Sequence, residues 1–141
     1  MVSARGLAPA LDSVRHLRAV SCMEAERFAA VCRIPLEFKR TSASVRDIVR
    51  ASEYASLRGD LPPRELADYL RQHPELVEAW AAYSEDKRAG EGWYFRRPAS
   101  VGRITRQPPP VRELHYPDPA VACAAFIIGE LNDVLDREAA V

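Results

Sequence analysis

Two adjacent carboxylates, Glu85 and Asp86, end a helical stretch that begins at Pro74, and a single histidine, His115, stands between Leu114 and Tyr116. A carboxylate held in a dry pocket has its pKa lifted and can act as a general base. If Glu85 or Asp86 met His115 in such a pocket, the pair would supply acid–base chemistry. The competing reading is a solvated helix end, because Lys87 and Arg88 follow directly. Cations there meet the negative end of the helix dipole, and charge runs usually face water. No motif lifts the first reading above the second. His16, His73 and His115 show neither i, i+4 pairing nor HExxH spacing, so metal ligation has no local support. Neither G-x-S-x-G nor G-x-x-x-x-G-K occurs, which leaves out a nucleophile elbow and a phosphate loop. Catalytic residues, cofactors and metals are accordingly assigned as none, and an enzyme is the third reading.

A second chemistry lies in Arg96, Arg97, Arg103, Arg106 and Arg112, a tract with no acidic residue inside it, which follows Trp93-Tyr94-Phe95. Cations for phosphates and ring faces for bases are the ingredients of a surface for single-stranded nucleic acid. The plainer alternative is a hairpin with a core face and an arginine-bearing solvent face, since alternate strand residues point to opposite sides.

The third chemistry is protein recognition. Trp, Tyr and Arg dominate interface energies because they combine large area with directed hydrogen bonds. Both tryptophans lie between Pro74 and Arg97. The expected function is therefore a small protein-binding module, of adaptor or immunity type. Its partner surface is expected at Tyr83, Glu85, Asp86, Arg88, Trp93 and Tyr94, while Trp80 packs inward. Nucleic-acid binding through Arg96, Arg97, Arg103 and Arg106 is the alternative.

The elements that must position these residues follow from periodicity and punctuation. The 141 residues carry 20 basic and 20 acidic side chains, so the net charge singles out neither nucleic acid nor anionic lipid as a partner. Residues 1–40 hold seven Lys/Arg against four Asp/Glu, and residues 41–141 thirteen against sixteen. Only Lys39 and Lys87 are lysines, an arginine bias that points to GC-rich coding and a bacterial origin. Cys22, Cys32 and Cys123 are widely spaced and odd in number, which argues for a reducing, cytoplasmic setting and against a disulfide framework. Cys123 is expected to be buried. The longest apolar run, Pro119–Gly129, is short of the ~20 residues a spanning helix needs, so no membrane partner is expected.

Residues 1–40 read as an N-terminal extension, partly helical from about Ala10 to Val31 and stopped at Pro35, and residues 41–141 as a compact domain. Ser44 and Asp47 have capping-box spacing for a helix over Val45–Leu57, closed by Gly59. Asp60-Leu61-Pro62-Pro63 opens the next helix, which ends at His73-Pro74, and Pro74 suits the first position of another. Aromatic content makes 93–96 a strand, with 101–106 returning and 111–116 as a third. Asp118-Pro119 starts a final helix that is apolar on nearly every side and so must be buried. The expected fold class is α+β: several helices, a small antiparallel hairpin or three-stranded sheet, and a buried C-terminal helix. No residue pattern specifies an oligomeric state.

Overall fold

The computed structural model describes residues 26–87, 92–105 and 111–139. The fold is α+β, with seven helices and one three-stranded antiparallel sheet among these residues. Helix α1 covers residues 26–32, followed by α2 (Ile34–Arg40), α3 (Val45–Ala51), α4 (Tyr54–Leu57), α5 (Pro63–Gln72) and α6 (Pro74–Lys87). The strands β1 (Gly92–Arg96), β2 (Ser100–Ile104) and β3 (Val111–His115) come next, followed by α7 (Pro119–Ala139).

Prolines mark the helix starts for one physical reason: the first-turn N–H has no partner in the helix, so a residue lacking it costs nothing there. Pro63, Pro74 and Pro119 all open helices as expected. Pro35 does the same. The sequence had it ending the helical pattern, but it lies in the first turn of α2 and is buried. Phe28, Val31, Cys32 and Ile34 belong to the same core as the later helices.

The expected single helix over Val45–Leu57 is two. Ser44 caps α3, its Oγ accepting from the Asp47 amide at 3.2 Å. The ladder then breaks because the Ser52 hydroxyl donates to the Val49 carbonyl at 2.6 Å and accepts from the Tyr54 amide at 3.3 Å. Side-chain bonding of this kind competes with the helix. Glu53 adopts φ 61°, and α4 restarts at Tyr54. Gly59, at φ 85°, ends α4 in the left-handed conformation its missing Cβ allows.

Helix α7 is the centre of the packing, in contact with α3, α5, α6, β1 and β2. Phe126 on its inner side meets Trp80 of α6 at 5.9 Å, Tyr83 at 6.3 Å and Phe95 of β1 at 6.1 Å. Trp80 is fully buried, and its indole N–H donates to the Cys32 carbonyl at 3.0 Å. Cys123 is buried in α7 as expected, and burial pushes its thiol well above the ordinary range.

The register pairs Trp93 with Arg103 and Arg103 with Arg112, Phe95 with Val101 and Val101 with Leu114. Paired residues share a face, so these side chains lie on the α7 side. Tyr94, Gly102 and Glu113 form a row on the opposite, outer side, beside the row Arg96, Ser100, His115. Two bonds donated by backbone amides orient the strand edges. The Phe95 amide donates to the Ser84 hydroxyl of α6 at 2.7 Å, tying the free edge of β1 to that helix. The Tyr116 amide donates to the Ala99 carbonyl at 2.8 Å, so by alternation residues 112 and 114 turn their backbone groups to β2, while 111, 113 and 115 turn theirs outward.

Candidate functional site

On α6, Glu78, Ala81, Ala82 and Glu85 follow the i, i+3, i+4, i+7 spacing that places four residues on one helical face. Leu76, Val77, Trp80 and Tyr83 take the buried side. The exposed face borders a groove of about 710 Å³, whose other wall carries Tyr94, Arg96, Ile104 and Glu113 from the sheet's outer side. Ala81 and Ala82 keep the helix wall low. Ser84 holds that wall against the strand through its bond to Phe95.

Tyr94 forms part of the sheet wall because Gly102 stands opposite it. A Cβ on Gly102 would lie 2.3 Å from the Tyr94 hydroxyl oxygen, so only glycine lets the ring lie flat on β2. Burial pushes the Tyr94 phenol up, and the neighbouring Glu113 carboxylate adds to the shift, while Arg96 opposes it. The Arg96 guanidinium sits 5.7 Å from the Tyr94 ring centroid, a cation–π distance. Arg97 bonds to Glu78 across the end of the groove. The site is thus a trough of alanine, isoleucine and a tyrosine face, edged by Glu85, Glu113, Arg96 and the Arg97–Glu78 pair.

The expected partner surface is divided by the fold. Glu85, Tyr94, Arg96 and Arg97 meet in this groove, and Asp86 is exposed beside it. Tyr83 is not on the surface: it is 7% exposed, edge-on to Trp80 at 5.3 Å. Trp93 lies on the α7 side, at a second groove of about 870 Å³ between α5 and α7. Arg103 shares that face of the sheet, 5.8 Å from the Trp93 ring centroid and 3.6 Å from Asp133. Arg88 and Arg106 lie outside the described residues.

Glu78, Ala81, Ala82, Gly102 and Glu113 were not singled out from sequence. The signal for the helix residues was present as the polar face opposite Trp80. Gly102 and Glu113 become legible only with the strand register.

His115 is not among the groove residues. Its Nδ1 is 2.7 Å from the Ser100 hydroxyl, its cross-strand neighbour. Among the described residues no three His, Cys, Asp or Glu side chains are grouped to hold a metal ion, and no helix is long and apolar enough to cross a membrane. Comparison with protein-family models, with curated proteins and with solved structures finds no match to this chain.

Proposed function

We propose that the chain is a cytoplasmic protein-binding module, of adaptor or immunity type, that receives its partner in the groove between α6 and the outer face of the sheet. One observation carries the reading: Glu85, Tyr94, Arg96 and Arg97, which come from two separate elements, converge around an apolar trough. A desolvated centre with a polar rim is the anatomy of protein interfaces, and Tyr and Arg are the residues that most often anchor them. The rim carries both acids and bases, which favours a partner of mixed charge over a polyanion.

The nucleic-acid reading draws less support from the geometry. Arg97 is engaged by Glu78 and Arg103 approaches Asp133, so carboxylates already offset two of the three described candidate cations.

Affinity capture with the wild-type chain and with Ala82→Arg and Tyr94→Ala variants tests the proposal. Ala82→Arg fills the trough, and Tyr94→Ala removes its ring. Partners held by the wild type should be lost from both variants while their thermal unfolding stays cooperative. An unchanged set of partners on both folded variants would reject the groove as the interface.

A further inference from the structure

Strand β3 is an edge strand, and among the described residues its extensive packing is with β2 alone. Its outward backbone groups are those of residues 111, 113 and 115, since Tyr116 bonds inward to Ala99. Leu114, on the α7 side of this strand, is 63% exposed, the most exposed of the large apolar side chains among the described residues. Open edges of this kind are templates for another strand, and proteins close them or use them. The β1 edge is covered by α6, which bonds to it through Ser84.

We infer that the β3 edge pairs with the β3 edge of a second copy of the chain, antiparallel, with the two-fold axis at Leu114. The side chains select this register. Only residues with outward backbone groups can exchange hydrogen bonds, which leaves three central registers, with axes at Arg112, Glu113 or Leu114. An axis at Arg112 sets Arg112 against its own copy, and an axis at Glu113 sets two carboxylates face to face. Like charges directly opposite destabilise a pair. The axis at Leu114 avoids both. It puts Leu114 on Leu114 of the second copy in a non-hydrogen-bonded pair, where side chains approach most closely. Glu113 then faces His115 of the second copy on the outer side, and His115 faces Glu113 in return. The Ser100 hydroxyl occupies the Nδ1 side of His115, which leaves Nε2 to meet the carboxylate. Arg112 meets the Tyr116 ring of the second copy, a cation–π pairing.

A pairing over five residues buries less than the ~1,600 Å² of a standard interface, so the association is a concentration-dependent equilibrium. The two readings share Glu113, which edges the groove, whereas Leu114 faces away from it, so Leu114→Lys tests the pairing without touching the groove.

Sedimentation equilibrium of the full chain from micromolar to millimolar concentration should show a reversible monomer–dimer equilibrium. Leu114→Lys places two ammonium groups on the axis and should raise the dissociation constant roughly tenfold or more. Glu113→Pro removes an outward N–H that β2 does not use, a position edge strands tolerate, and should abolish the dimer. Glu113→Arg should weaken it, and Glu113→Arg with His115→Glu should restore it. The charge-swap pair keeps the test sharp if the proline variant unfolds, as circular dichroism would report. A monomer throughout the range, a dimer indifferent to Leu114→Lys and the charge changes, or a species larger than a dimer would overturn the inference. So would a monomeric chain that binds the strand of a different protein at this edge.

Discussion

Trp93 lies against Gly129 of α7 so closely that a Cβ on the glycine would stand 2.7 Å from the indole ring. The contact joins β1 to the central helix and sets the face on which Trp93 is found. We predict that Gly129→Ala destabilises the fold by about 1–3 kcal/mol, the usual cost of overpacking, although alanine is the better helix former. The same substitution in a Trp93→Ala background should cost less. Denaturant unfolding of the four chains in that cycle measures the coupling, and additive effects would show that the ring yields freely.

Ser84→Ala should leave the Phe95 amide without its acceptor in a buried setting. The expected loss is about 1–3 kcal/mol, as for an unsatisfied buried donor. Hydrogen exchange at the Phe95 amide should accelerate more than at neighbouring strand amides. Uniform acceleration would mean that only global stability had changed.

Asp118 caps α7, its carboxylate accepting from the Val121 amide at 3.0 Å and from Arg71 at 3.0 Å. The Val121 bond, with Arg71 in support, holds the Asp118 carboxyl below its ordinary value of 3.8. A lowered pKa stabilises the folded state fully above the ordinary value, and the contribution fades as pH falls from there through the folded value. Asp118→Ala should cost about 1 kcal/mol at neutral pH. Asp118→Asn keeps a cap but does not titrate, so its stability difference from wild type should shift as pH is lowered below 3.8. A difference constant with pH would argue against the lowered value.

Single-stranded nucleic acid should bind the wild-type chain weakly even at low salt, given the carboxylates beside Arg97 and Arg103. Glu78→Ala with Asp133→Ala removes both and should raise affinity and steepen its salt dependence. Tight, salt-sensitive binding by the wild type would favour the arginine surface over the groove.

Local chemistry was readable from the chain wherever it acts within one turn. The Ser44 cap, the proline starts at 63, 74 and 119, and the left-handed Gly59 depend on neighbours in sequence, and each forms as expected. The α3 break was not readable, because Ser52 and Glu53 are compatible with a helix until the Ser52 hydroxyl takes the backbone's place. The charged block Ser84–Arg88 illustrates the same limit. Its charges mark a solvated helix end, yet Ser84 is buried by a strand that arrives eleven residues later, at Phe95. Tyr83 was assigned to the surface for its residue type, and the α7 aromatic Phe126 claims it for the core. Strand alternation correctly separated Tyr94 from Trp93 and Phe95. Which side held the groove required the position of α6.

The hydroxyl of Ser84 has a consequence for assembly. A sheet with two open edges can add copies at both ends and grow into a fibre, whereas one with a single open edge is used up by one pairing. Helix α6 lies along the β1 edge and is bonded to it through the Ser84 hydroxyl, so that growth through β3 stops at a single pair.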